Sequence, residues 1–310
     1  MIGVRAALCI AGPTASGKSE LALRLAREVH KPVIVNCDSM QVYRDLSIIT
    51  ARPSKQDQAG IPHQLFGHRD GSQAYSVAKW RDEVRIVLAD AQDATVVFVG
   101  GTGLYFLALL EGLSPIPEVD PTVREQVRAR CELDGAPTLF DELDGEMQAR
   151  LRPTDSQRVS RALEVQLSTG RSLAYWQDLP KDGGLIRDTA LVKLVLEPDK
   201  SWLEQRISMR AALMFKAEGL AEVQRLHARG LAEDLPVMRA LGVEVIGSYL
   251  QGRTDHETAL DHLSMQTRRY AKRQMTWFRG HMADWLWCDP QDEALAAAVL
   301  NEIASMPRTG

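Results

Sequence analysis

Gly12-Pro13-Thr14-Ala15-Ser16-Gly17-Lys18-Ser19 has two glycines framing four residues, followed by a lysine and a hydroxyl. That spacing lets consecutive backbone N–H groups turn inward around an anion, while the lysine adds a point charge and the serine offers an oxygen to Mg²⁺. The octapeptide follows an apolar stretch over 6–11 and precedes helical periodicity over 20–29. A helix N-terminus placed there completes a phosphate cradle. Residues 12–19 are therefore expected to hold an oligophosphate, as a nucleotide or a diphosphate, with Ser19 the candidate ligand for Mg²⁺.

Asp38 ends the next apolar run, in Asp38-Ser39-Met40-Gln41-Val42-Tyr43. In an open parallel sheet the strand carboxyl ends line the ligand crevice, so Asp38 and Thr102 should both face the anion loop. Asp38 is a candidate general base for a nucleophile attacking at the phosphate ligand. Alternatively it caps a following helix or holds Mg²⁺ through water. P-loop hydrolases carry a metal-holding Asp at the end of a neighbouring strand. Here the run over 95–99 passes instead into Gly100-Gly101-Thr102-Gly103-Leu104-Tyr105, a turn that lets backbone and the Thr102 hydroxyl approach a ligand.

Further along, a capping box at Ser201-x-x-Glu204 should open a helix on which Leu203, Ile207 and Met214 form an apolar stripe. Arg210 falls inside that stripe, with Arg206 one turn earlier. A charge facing inward needs a partner, and a leaving diphosphate would supply one; a snorkelling side chain or an internal ion pair are the alternatives. Between Ser264 and His281 come Arg268, Arg269, Lys272, Arg273 and Arg279 with no acid. Leu263, Thr267, Tyr270, Gln274 and Phe278 lie on another face of the same helix, leaving a basic stripe beside Trp277 suited to RNA phosphates and stacked bases. A second polar face pairs Gln157 with Arg161 at i,i+4, extended by Arg158, while Val159, Leu163 and Leu167 point elsewhere.

These residues are carried by a chain of 310 residues, 45% hydrophobic and 25% charged, with net charge −4. The balance is that of an ordinary globular protein and gives no general affinity for polyanions, so RNA binding must rest on local patches. Four scattered cysteines suggest neither disulfides nor zinc, which suits a reducing cytoplasm. No apolar run reaches membrane-spanning length. Apolar β-type runs over 6–11, 33–36, 95–99 and 191–196 alternate with helical segments and predict an α/β fold: a P-loop NTPase-like parallel sheet with helices on both faces. Between 113 and 187 the strand pattern stops and short helices start at Asp120-Pro121, Thr138 and Asp155, with Asp182-Gly183-Gly184 as a hinge. The expected organisation is a core from 1–118 and 188–310 plus a small all-helical insertion domain over 119–187. A strand is expected at Trp285 to Trp287, and a monomer overall.

Taken in order, the anion loop, Asp38 to Tyr43, Gly60-Ile61-Pro62-His63, Gly100 to Tyr105, Gln157-Arg158-x-x-Arg161-Ala162-Leu163-Glu164-Val165 and Ala271-Lys272-Arg273-Gln274-x-Thr276-Trp277-Phe278-Arg279 resemble the tRNA dimethylallyltransferase family. The resemblance runs through nearly the whole chain. It implies transfer of a dimethylallyl group from dimethylallyl diphosphate, with Mg²⁺, to the N6 amine of the adenosine 3′ of the anticodon. It further implies that Asp38 takes the amine proton, that Thr14, Lys18 and Ser19 hold the diphosphate, and that Arg210 neutralises it as it departs. Contacts to the tRNA anticodon stem-loop would fall on Asp38, Ser39, Met40, Gln41, Thr102, Arg124, Gln157, Arg158, Val159, Ser160, Arg161, Lys272, Arg273, Gln274, Met275, Thr276, Trp277, Phe278 and Arg279. The chain departs from the family pattern at Arg52, at Gln64 and at Val243-Glu244. From the residues alone, a nucleoside or nucleotide kinase and an RNA-binding regulator switched by a nucleotide remain alternatives.

Overall fold

A computed structural model describes residues 3–186 and 190–305. Two compact units emerge, one built from the chain up to Leu110 and from Leu185 onward, the other from Glu111–Gly184. The expected domain boundary between 187 and 188 lies outside the described residues, as do positions 1, 2 and 306–310.

The larger unit is built on β1 (Ala6–Ala11), β2 (Pro32–Asn36), β3 (His63–Gln64), β4 (Thr95–Gly100), β5 (Ala190–Leu196) and β6 (Leu286–Cys288), all parallel in the order β3-β2-β4-β1-β5-β6. Its helices are α1 (Lys18–Ala26), α2 (Val77–Asp90) and α3 (Gly103–Leu110), then, beyond the smaller unit, α9 (Lys200–Met214), α10 (Ala217–Ala228), α11 (Val243–Leu250), α12 (His256–His281) and α13 (Leu295–Ser305). Every residue of β1 and β4 is buried, which explains their near-continuous apolar sequence: helices cover both faces. Side chains alternate across the sheet. Ala7, Cys9 and Ala11 join Trp80, Phe106, Phe278 and Trp285 on one face; Leu8 and Ile10 join Leu21, Leu25 and Val299 on the other. Full burial of a Leu8 or Ile10 side chain contributes about 1.5–3 kcal/mol. A third core gathers α9, α10, α11 and the start of α12 around the loop carrying Val42, Tyr43, Leu46 and Ile49.

The smaller unit consists of α4 (Pro121–Asp134), α5 (Ala136–Phe140), α6 (Gly145–Arg150), α7 (Ser156–Thr169) and α8 (Leu173–Asp178) around Val127, Leu139, Met147, Val159 and Leu163. Asp120 and Asp155 cap α4 and α7 as their positions suggest. Two local expectations fail, at Thr138 and at Ser201. Thr138 lies inside α5, which starts after Gly135. Leu167 lies beyond the buried stretch of α7, which ends at Val165, and is exposed. The cap of α9 is Asp199, whose carboxylate accepts the N–H groups of Ser201 and Trp202, so no Ser201 capping box forms. Among the described residues no helix is long and apolar enough to cross a membrane.

Candidate active site

Register brings the site together. Ala11 pairs with Gly100 across β1 and β4, and Asn36 pairs with Val99 across β2 and β4. The segments that leave these strands, 12–17, 37–41 and 101–102, therefore emerge side by side at the carboxyl edge of the sheet.

The anion loop turns through Ala15 at φ 65° and Gly17 at φ 80°, the latter ending where α1 begins. Gly17 supplies the left-handed conformation without a Cβ penalty; Ala15 adopts it under restraint. That restraint is visible. Arg206 Nε donates to the Ala15 carbonyl at 2.9 Å while its guanidinium lies 4.7 Å over the Trp202 ring. Lys18 Nζ donates to the Pro13 carbonyl at 3.0 Å, and desolvation pulls its ammonium down to about 8, against the opposing pull of Asp38. Thr14 is gripped twice: its hydroxyl accepts from Arg210, and its N–H donates to Gln274 Oε1 at 2.9 Å. Ser16 is fully buried and its hydroxyl has no hydrogen-bond partner among the described residues; Ser19 is exposed in the first turn of α1.

Arg210 also donates to the Ile49 carbonyl at 3.0 Å. Burial lowers its pKa and the Asp38 carboxylate partly restores it. Among the described residues its buried Nε makes no hydrogen bond and no carboxylate forms an ion pair with it. Of the readings open in the sequence, an internal ion pair therefore falls away, and an inward guanidinium held against the anion loop remains.

Asp38 Oδ1 accepts from the N–H groups of Met40 at 2.9 Å and Gln41 at 3.4 Å. No helix follows, so Asp38 braces a turn and does not cap a helix. Its second oxygen makes no hydrogen bond among the described residues. Asn36 clamps the aspartate backbone, accepting the Asp38 N–H and donating to the Asp38 carbonyl, both at 2.9 Å. Thr102 is held by the Cys37 carbonyl at 3.1 Å, and its hydroxyl accepts the Ser39 N–H at 3.0 Å. Gly100 permits this approach: a Cβ there would stand 2.1 Å from the Cys37 backbone.

On α12, Lys272, Arg273, Thr276 and Arg279 are exposed, whereas Gln274, Met275 and Phe278 are buried. Arg268 and Arg269 are exposed too, so the basic stripe forms, although Arg279 is paired with Glu197 at 2.6 Å. Trp277 stacks on His281 at 4.2 Å. In the smaller unit, Gln157 and Arg158 are exposed while Val159 and Ser160 are buried. There Arg124, Arg128 and Arg161 stand 3.5–3.8 Å from the buried Glu164 carboxylate, three cations around one anion.

Met40 packs against the third core, and Gln41 is buried, its Nε2 donating to the Thr50 carbonyl at 2.9 Å. Two residues absent from the sequence reading complete the site. Asn36, a polar end to an apolar strand, aims Asp38. Glu222 is buried on the Gly219, Val223, Leu226 stripe of α10; it receives the N–H groups of Ser47 (2.6 Å), Ile48 (3.1 Å) and Ile49 (2.9 Å). The inward-charge argument that singles out Arg210 would have found it. Among the described residues, no cluster of three His, Cys, Asp or Glu side chains could hold a metal.

A family model described as IPP transferase matches residues 41–281, and one described as Isopentenyl transferase matches 5–76. A protein named tRNA dimethylallyltransferase from Sphingopyxis alaskensis is 47% identical over 298 residues, covering 95% of this chain and 96% of its own length. One of the same name from Beijerinckia indica is 48% identical, covering 92% and 96%. The crystal structure of a full-length tRNA isopentenylpyrophosphate transferase from Bacillus halodurans superposes with a TM-score of 0.68 at 30% identity, covering 97% of each chain. A eukaryotic dimethylallyltransferase acting on tRNA shares the fold, with a TM-score of 0.77 at 24% identity, covering 99% of this chain and 81% of that one. On this identity and coverage, the chain belongs to the tRNA dimethylallyltransferase family of IPP transferases.

Proposed function

We propose that the protein transfers the dimethylallyl group of dimethylallyl diphosphate to N6 of the adenosine 3′-adjacent to the anticodon, releasing diphosphate and leaving isopentenyladenosine in the tRNA. The observation that carries this reading is the convergence of Lys18, Arg210 and the Thr14 hydroxyl on one anion loop, with Asp38 just beyond β2, the strand on the far side of β4.

The amine nitrogen forms a bond to C1 of the dimethylallyl group as the C1–O bond to diphosphate breaks. An adenine amine is a weak nucleophile and not acidic, so its proton leaves as the C–N bond forms, and Asp38 Oδ2 accepts it. The bonding pair of the C–O bond departs on diphosphate oxygen, where Lys18, Arg210 and loop N–H groups stabilise it. Preorganised charge of this kind is commonly the largest single contribution to rate. Magnesium holds its phosphate ligands with few protein oxygens. A single hydroxyl, Ser19, exposed beside the loop, fits that demand; the bound ion would supply positive charge to the diphosphate oxygens.

RNA recognition is assigned to the α12 stripe at Lys272, Arg273, Thr276, Trp277 and Arg279, and to Arg124, Gln157, Arg158 and Arg161 of the smaller unit. The target base must leave its stack to reach the half-buried Asp38 carboxylate.

The test is mass analysis of tRNA nucleosides after incubation with dimethylallyl diphosphate and Mg²⁺, which should give adenosine heavier by one prenyl unit at the base 3′ of the anticodon. Catalytic ADP formation from ATP and a nucleoside, with no such product, would establish a kinase instead.

A further inference from the structure

Gln274 stands in the most basic segment of the chain, where family resemblance places RNA contacts, yet its side chain does not face outward. It is 7% exposed, and both ends of its amide are engaged inside the protein. Oε1 accepts the Thr14 N–H at 2.9 Å, and Nε2 donates to the Gly101 carbonyl at 2.8 Å. Only this orientation pairs donor with acceptor at both ends, because the reversed amide would set N–H against N–H and oxygen against oxygen. The space is closed as well: a Cβ on Gly101 would stand 2.3 Å from Nε2.

The two groups it joins belong to the two halves of the proposed chemistry. Thr14 is the loop residue whose hydroxyl Arg210 holds. Gly101 precedes Thr102, which is fixed to Cys37 and Ser39 on either side of Asp38. No other side chain hydrogen-bonds both the anion loop and the 100–102 turn among the described residues. Buried hydrogen bonds of this kind are strong in a low-dielectric interior and costly to leave unmade.

We propose that Gln274 is a positioning residue: it sets the distance between the diphosphate cradle and the Asp38 turn, and it does not read RNA. This rests on the transfer reaction assigned above. Misplacement of reacting groups by about 1 Å can cost ~100-fold in rate, so the effect belongs in turnover and not in affinity.

The experiment measures kcat at saturating dimethylallyl diphosphate and tRNA, together with tRNA Kd by filter binding, for wild type, Gln274→Ala, Gly101→Ala and the double variant. Gln274→Ala should lower kcat about tenfold or more while tRNA Kd stays within about twofold. Gly101→Ala keeps every hydrogen-bonding group but pushes the amide aside, and should do the same. The double variant should be no worse than either single one, since both break one link. Arg273→Ala, exposed on the same helix, provides the contrasting response of weakened tRNA binding. The inference is overturned if Gln274→Ala weakens tRNA binding with kcat retained, or if it leaves both unchanged. Should Gln274→Ala lack a cooperative melt, Gly101→Ala decides, and normal kcat in that protein overturns the inference. A wild-type protein that does not prenylate tRNA refutes the reaction itself, a distinguishable result.

Discussion

Glu222 offers a severe test of how the site is supported. Its carboxylate is buried on α10 and takes three backbone N–H groups from successive residues, Ser47, Ile48 and Ile49. Glu222→Ala strands those donors. A buried unsatisfied group costs about 1–3 kcal/mol. The Ile49 N–H bears that cost fully because Ile49 is 2% exposed, whereas Ile48, 36% exposed, can be rehydrated. With the methylenes removed from the third core, the loss should total about 3–5 kcal/mol. For a domain of this size, about 2–4 °C per kcal/mol makes the melting temperature fall by roughly 10 °C. Calorimetry would measure it. The loop also presents the Ile49 carbonyl to Arg210, so turnover should drop at temperatures where the variant is folded. If that route is correct, Glu222→Ala and Arg210→Ala should be non-additive in a double-mutant cycle on kcat. A melting temperature within about 2 °C of wild type, or full additivity, would refute the reasoning.

Asp38→Ala should lower kcat by about 10²–10⁴-fold, the range expected for a general base, while filter binding of tRNA is retained; near-normal turnover would eliminate the base assignment. Because desolvation brings Lys18 down to about 8, the free protein loses that charge as pH rises through this value. The kcat/KM for dimethylallyl diphosphate should fall along the same limb, and in Lys18→Arg, whose guanidinium stays charged, the limb should move to higher pH whatever the maximal rate. Gly100→Ala places a Cβ 2.1 Å from the Cys37 backbone, which no side-chain movement relieves. It should lower the melting temperature and kcat together, as followed by calorimetry and product formation.

Periodicity alone revealed the four central strands of the parallel sheet, its helical partners and the inward Arg210, because burial on both faces forces continuous apolar strands and leaves a lone charge conspicuous; the two-residue edge strand β3 is too short to carry such a pattern. The anion loop was legible for a similar reason: its conformation depends on glycine and lysine at fixed local spacing. Local pattern was less reliable at helix ends, where Asp199 and Ser201 offer competing caps and only the backbone path selects between them. What the linear order could not disclose was which polar groups face one another. Gln274 is 260 residues from Thr14 and Glu222 is 173 from Ile49, yet both pairs meet within hydrogen-bond distance. A side chain's chemistry is written in its type, but whether it contacts solvent, RNA or another part of the chain depends on packing between distant elements. Gly100 is the same lesson in reverse: it looked suited to a ligand's approach, and the fold uses it to admit the backbone of Cys37.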